Sequence, residues 1–274
     1  MPLDTLTRIL DHAKQQNAYA IGLVCLGYEE ARSYVEIGEE LDLPVILQAG
    51  PGARAHIPLI HWAHMLRDLG EKASIPVAVH LDHGQSLDEC KAALDAGFTS
   101  IMYDGSRHPI TENVETSIKI AEAAKAANAS LEVEVGHVGY QGDPQGDMTS
   151  PKDLEVMGKA IPDAAIAISV GNVHLQQSKM AKIDWKLLSE CRAVISNDFV
   201  IHGGSGVVQQ DRARMAKEFG VHKINIGTEI RQAAGAAMLK NLQNDFDKLA
   251  ALNASASAVK SVARDLMKAA WLLT

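Results

Sequence analysis

Apolar and polar residues follow two rhythms along this chain, and the rhythms take turns. Short β-rich runs fall at Tyr19–Val24, Pro44–Gln48, Pro76–Leu81, Thr99–Tyr103, Leu131–Val135, Ala165–Val170, Phe199–Ile201 and Lys223–Ile226. Between them apolar residues return every three to four positions, the spacing of an amphipathic helix. A leading helix is expected at Leu3–Ala13, then others at Tyr28–Leu41, Ile57–Leu69, Leu87–Ala96, Glu112–Ala127, Pro151–Ala160, Asp184–Val194 and Val207–Phe219. Two more, near Glu229–Leu252 and Ala256–Leu272, finish the chain. Eight strands alternating with helices predict an α/β fold, a (β/α)8 TIM barrel with additional N- and C-terminal helices. An open doubly wound sheet is the alternative, but the GxGxxG loop expected after its first strand is missing.

Composition narrows the picture. A chain of 274 residues, 47% of them apolar, can bury one large core, and no Pro/Gly tract or charge run marks a linker, so one domain is expected over residues 1–274. A net charge of −8 argues against a nucleic-acid partner while leaving room for local phosphate pockets. Cys25, Cys90 and Cys191 are widely spaced and fit neither a disulfide framework nor a zinc knuckle. The first ten residues carry Asp4 and Arg8 and lack a signal-peptide core. No run of ~18 apolar residues could span a membrane, so a cytoplasmic location is expected.

In a barrel of this kind the ends of distant strands converge on one face. Asp82 and His83 end the third run, Asp104 the fourth, Glu134 lies late in the fifth, His174 follows the sixth, His202 ends the seventh and Asn225 lies in the eighth. Each histidine alone is more readily a hydrogen-bonded structural residue. Three on one rim, each beside Gly, Asn or Asp, point to a catalytic zinc site with an open fourth position. Gly203-Gly204-Ser205-Gly206 before one helix and Asn225-Ile226-Gly227-Thr228 before another could cradle a phosphate on backbone N–H groups; tight turns are an equal reading of either alone, and the pair, after the seventh and eighth runs, favours phosphate. The polar stretch Gly139–Ser150 is too long for a simple connection.

Six ordered segments carry a resemblance: His80-Leu81-Asp82-His83-Gly84, Gly97 to Ser106, Glu132-Val133-Glu134-Val135-Gly136, Gly171-Asn172-Val173-His174, His202 to Gly206, and Lys223 to Glu229. Together they resemble the class II, zinc-dependent ketose-bisphosphate aldolases, which include fructose- and tagatose-bisphosphate aldolases. The resemblance implies one zinc ion bound by His83, His174 and His202, with Glu134 close by as an alternative ligand. It implies that the metal acts as a Lewis acid on the ketose carbonyl, and that Asp82 exchanges a proton with the C4 hydroxyl. The segments Gly203, Gly204, Ser205 and Asn225, Ile226, Gly227, Thr228 would hold the C1 phosphate of dihydroxyacetone phosphate. A monovalent cation, Na+ or K+, would sit near the carbonyls of Val173 and Ser205. Asp143, with Asp147 as second choice, would shuttle the C1 proton, and Arg264 would reach the distal phosphate of a neighbouring subunit. The expected partner is a phosphorylated sugar, and the expected assembly a homodimer or homotetramer.

The chain also departs from that family. Leu175 stands where glycine normally follows the histidine, and the nearest lysine, Lys179, comes one position late. Ile21-Gly22-Leu23-Val24 replaces an Asn-bearing turn, and Gly50 stands about where serine is expected, although Gly52-Ala53-Arg54 matches. These changes leave the aldehyde product open and motivate the alternative, a non-catalytic or chaperone-like aldolase-family subunit. A metal-dependent hydrolase on the same barrel would need more rim carboxylates and a bridging lysine or HxH pair.

Overall fold

The computed structural model describes residues 3–139, 146–177, 179, 181–244 and 246–271. Eight parallel strands close into a barrel: β1 (Ala20–Val24), β2 (Val45–Ala49), β3 (Val77–Gly84), β4 (Ser100–Tyr103), β5 (Ser130–Val135), β6 (Ala165–Ile168), β7 (Phe199–Ile201) and β8 (Val221–Ile226). Each strand pairs with the next, and β8 returns to β1 through Asn225 opposite Gly22. The predicted TIM barrel is therefore the fold. Nearly every strand residue is buried, because helices cover the outer face while side chains fill the inside.

The outer layer consists of α2 (Tyr28–Leu41), α4 (Leu59–Lys72), α5 (Leu87–Asp95), α6 (Ile110–Ala126), α7 (Pro151–Ala160), α8 (Trp185–Val194) and α9 (Gln209–Phe219). Several starts are written in the sequence: Ser86, Ser150 and Asp184 each accept a backbone N–H from the first turn, and Pro151 occupies the position where a missing N–H costs nothing. The leading helix α1 (Leu6–Gln15) plugs the N-terminal end of the barrel with Leu6, Ile9, Leu10 and Ala13, and Ser130 Oγ accepts the Leu6 N–H at 2.9 Å. Helices α10 (Thr228–Asn244) and α11 (Lys248–Trp271) form a hairpin, and α11 packs on α2.

Three boundaries differ from the sequence reading. A short helix, α3 (Pro51–His56), precedes α4, with Pro58 separating the two. Helix α10 ends at Asn244 and α11 begins at Lys248, ahead of the expected break at Asn253–Ser255. Strand β3 carries Asp82 and His83 at its end and runs on to Gly84, beyond the apolar run Pro76–Leu81, with a register shift against β4 and φ of 51° at His83.

Candidate active site

Strands deliver the chemistry to the C-terminal rim. His83, His174 and His202 place ring nitrogens within 4.8 Å of one another, and His83 does the same with Asp104 and Glu134. The sequence-derived triad is thus brought together, with Glu134 beside it. His83 and His202 stand nearly perpendicular, ring centres 4.5 Å apart, and His174 closes the triangle at 5.3 and 5.6 Å.

The pairing of the outer nitrogens tests whether this set suits a metal. His83 Nδ1 lies 2.8 Å from Asp104 Oδ2, and His202 Nε2 lies 3.0 Å from Glu132 Oε1. Each ring therefore donates its outer N–H to a carboxylate, and the inner nitrogens, His83 Nε2 and His202 Nδ1, face each other at 2.8 Å. Two facing lone pairs repel unless a proton or a cation lies between them. Glu134 Oε2 is buried without a hydrogen-bond partner among the described residues and lies 3.6 Å from His83 Nδ1, an acceptor with capacity to spare for a cation. The donor set fits zinc, and carboxylates on the far side of metal-bound imidazoles are the usual support for it.

Without metal, the cluster keeps a proton instead. Burial opposes a charged His83, but Asp82, then Asp104 and Glu134, hold it up to about 10. Burial and the charge on His83 push His174 and His202 well below the ordinary imidazole value. Burial, reinforced by Asp104, lifts Glu134 to about 8.

Beneath the rim lies a polar layer that sequence reasoning did not single out. Glu132 Oε2 accepts from Lys223 Nζ at 2.7 Å, Lys223 Nζ lies 3.3 Å from His80 Nε2, and His80 Nδ1 lies 2.7 Å from Ser100 Oγ. All four side chains are fully buried. The signal was present: His80, Glu132 and Lys223 each stand two positions before a rim residue, Asp82, Glu134 or Asn225, and i, i+2 positions of a strand share a face. Arg54, near the end of α3, matches the family in sequence, but no role was read for it there. It donates to the carbonyls of Ala49, Asp82 and His83 at 2.6, 2.6 and 3.0 Å and pairs with Glu89, bracing the backbone of the Asp82–His83 dyad.

Next to the triad opens a cleft lined by Val24, Gln48, Asp82, His174, Gly203, Ser205, Gly227, Thr228 and Arg231. Asn225 Nδ2 donates to Asp82 Oδ1 at 3.3 Å, and Ser205 Oγ accepts the Thr228 N–H at 3.2 Å, so the two glycine-bearing loops meet here. Gly203, at φ 65°, packs against the Val173 carbonyl so closely that a Cβ would lie 2.2 Å from it. Gly22 is needed for a similar reason: its Cβ would fall 2.2 Å from Asn225 Oδ1 and 2.3 Å from Gln48 Oε1. Gly204 and Ile226 lie just behind the cleft, both buried. Arg231 is a second omission, a cleft-lining cation without an ion-pair partner among the described residues. A larger apolar cavity between α6 and α7, lined by Ile118, Leu131 and Ile161, lies at the opposite end of the barrel and brings together no such chemistry.

The remaining expected residues are placed differently. Lys179 Nζ lies on Glu229, 3.0 Å from each carboxylate oxygen, at the margin of the cleft. Arg264 forms a two-pronged ion pair with Glu40. Glu40 is near the C-terminal end of α2, at the foot of the barrel, so within one chain Arg264 is not brought to the site. Asp143 lies outside the described residues, and Asp147, exposed, accepts the His137 N–H through its backbone carbonyl at 2.8 Å. Leu175 takes φ of 59°, the left-handed conformation for which glycine is better suited.

Comparison with known proteins agrees with this geometry. The "YdjI aldolase" of Escherichia coli K12, 24% identical, superposes with a TM-score of 0.85 over 98% of this chain and 97% of its own, a likeness of fold. A "Fructose-bisphosphate aldolase" of Staphylococcus epidermidis is 35% identical over 260 residues, covering 90% of this chain and 88% of its own length. One of the same name from Mycoplasma pneumoniae is 35% identical over 254 residues, covering 89% and 86%. The family described as "Fructose-bisphosphate aldolase class-II" matches residues 4–271. With that match spanning nearly the whole barrel, the chain belongs to the class II fructose-bisphosphate aldolase family and is a class II aldolase, a carbon–carbon lyase of carbohydrate metabolism.

Proposed function

We propose that this protein reversibly cleaves a ketose 1-phosphate or 1,6-bisphosphate, of the fructose- or tagatose-bisphosphate kind, to dihydroxyacetone phosphate and an aldehyde, using one zinc ion. The observation that carries this reading is the convergence of three imidazoles, two with their outer nitrogens fixed by Asp104 and Glu132, beside the buried Asp82 carboxylate. His83, His174 and His202 would hold the ion, with Glu134 as the neighbouring carboxylate; when bound it supplies Lewis-acid polarisation of the substrate carbonyl.

The protein's own groups account for the rest. Asp82, which accepts from the Asn225 amide, would take the C4 hydroxyl proton as the carbon–carbon bond breaks and return it in condensation. The loops Gly203–Ser205 and Asn225–Thr228 would offer backbone N–H groups to the C1 phosphate, that of Thr228 only on leaving the Ser205 hydroxyl, and the Val173 carbonyl beside Gly203 would suit a monovalent cation there. Asp143 or Asp147 would move the C1 proton. Arg231 gives the cleft a cation for an anionic substrate, whereas Lys179 would first have to leave Glu229. Arg264 could serve a distal phosphate only across a subunit boundary in a homodimer or homotetramer. No helix among the described residues is long and apolar enough to cross a membrane. Residues 1–274 would form one domain of an enzyme working in the cytoplasm.

The test is a coupled assay for dihydroxyacetone phosphate on protein stripped with chelator and then reloaded with zinc. Activity should vanish and return. Turnover that survives complete metal removal, or a His202→Ala variant of undiminished rate, would overturn the reading. A pure zinc-loaded chain inert towards every phosphorylated ketose would favour the non-catalytic subunit instead. Condensation with a panel of aldehydes, with and without phosphate, would identify the second product.

A further inference from the structure

Arg212, on α9, is 2% exposed and among the largest fully buried side chains of the molecule. Its Nε and Nη2 donate to the Gly204 carbonyl at 3.1 and 2.7 Å, and Nη2 also meets Glu229 Oε1 at 2.7 Å. Glu229 in turn accepts Lys179. One guanidinium therefore joins the loop after β7, through Gly204, to the helix start after β8, through Glu229, and Glu229 ties in the loop after β6. Burying a guanidinium is costly, and an unbranched apolar side chain such as methionine would fill most of the same space at lower cost. Packing alone does not explain a charge here.

We infer that Arg212 is a positioning residue for phosphate recognition: by anchoring the Gly204 carbonyl and neutralising Glu229 it sets the β7 and β8 loops to receive an anion. The inference rests on the phosphate role proposed above for these loops. A trans peptide is planar, so the carbonyl of Gly204 and the N–H of Ser205 point in opposite directions. With the carbonyl drawn back onto Arg212, the Ser205 N–H is turned away from Arg212, on the loop that lines the cleft. The Ser205 hydroxyl then accepts the Thr228 N–H, carrying the same alignment into the second loop. Without Arg212, the Gly204 carbonyl keeps, among the described residues, only the Val207 N–H at 3.0 Å and is held less firmly away from the bound anion. Glu229, one residue from Thr228, would repel the anion as well, with only the more exposed Lys179 to offset it.

The experiment compares zinc-loaded wild type with Arg212→Leu and Arg212→Lys. Calorimetry gives the Kd for inorganic phosphate and for dihydroxyacetone phosphate; steady-state assays give kcat and KM; zinc content and melting temperature are measured alongside. Misplaced loops should raise both Kd values and KM on the order of tenfold or more in Arg212→Leu, with zinc content unchanged and kcat nearly so. Arg212→Lys, which keeps a buried cation but cannot span both acceptors, should fall between leucine and arginine, and decides the matter if the leucine variant does not fold. Variants with a lowered melting temperature but wild-type Kd and KM would reduce Arg212 to a structural residue and overturn the inference alone. Wild type that binds neither phosphate nor dihydroxyacetone phosphate would remove the loop assignment, and the inference with it.

Discussion

Asp82 and His83 are neighbours in sequence with separate tasks, and the separation rests on what each touches. His83 is held by Asp104 on its outer nitrogen and faces His202 with its inner one, whereas Asp82 is held by the amide of Asn225 and opens onto the cleft. Replacing Asp82 by Asn should keep the metal and the phosphate site while lowering kcat by about 10²–10⁴, the range typical of a lost general acid–base group. Zinc analysis with steady-state kinetics checks this, and an unimpaired kcat would exclude Asp82 from proton transfer. The proton kept by the metal-free cluster makes a second prediction. His83 titrates at about 10 and Glu134 at about 8, so both carry protons at pH 7 and a metal ion must displace at least that of His83. Zinc uptake at pH 7 should release at least one proton, and apparent affinity should climb between pH 7 and 9. Calorimetry in buffers of different ionisation heat measures the release; a signal independent of buffer would contradict the protonated cluster. The histidine triad was legible in the sequence because strand ends of a barrel converge whatever their separation along the chain. Arg231 and Arg212 were not, because both lie on helices, where an arginine is ordinarily a solvent-facing residue.

At the scale of elements, β5 and β8 each carry polar residues at alternate positions that would be apolar in most barrels. Glu132 and Lys223 form a fully buried ion pair between them, and Glu132 also orients His202. Removing one partner strands the other, so Lys223→Met should cost about 3–5 kcal/mol in denaturant titration. The double variant Lys223→Met with Glu132→Gln should cost less than the single one, since no uncompensated charge remains; an equal or larger loss would mean that shape, not charge, governs this layer. The alternation itself was visible at Glu132 and Glu134, yet period-two patterning says only that two residues share a face. What joins Glu132 to Lys223 is barrel closure, a contact across 91 positions that no local rhythm encodes. Helix limits were read best where a cap announces them, as at Ser150-Pro151, and worst at α3, where six residues are too few for a helical rhythm to register.

For the whole molecule, the two ends of the barrel divide the work. The C-terminal rim holds chemistry, while α1 seals the foot, where His222 and Asp198 pair at 2.7 Å. Burial alone would raise Asp198, but the His222 hydrogen bond and then Lys14 outweigh it and hold the carboxyl below its usual value. A depressed carboxylate contributes stability above its unfolded value of about 3.9, and that contribution is lost as pH falls through the lower folded value. Asp198→Asn should therefore flatten the acid limb of the stability profile below about pH 4 and leave rim activity intact; urea midpoints against pH, with a kinetic control, test both halves. The eightfold alternation made the barrel legible from the sequence, whereas the seal depends on which buried faces meet, information held only in three dimensions. At β3, the φ of 51° at His83 lets two successive residues serve one rim, Asp82 on the cleft and His83 in the adjoining histidine cluster, where a regular strand would send them to opposite faces. Arg54 holds the carbonyls on both sides of that turn. The dyad is thus not portable as two letters of sequence: transplanted into another barrel, it would need the kink and its arginine splint to travel with it.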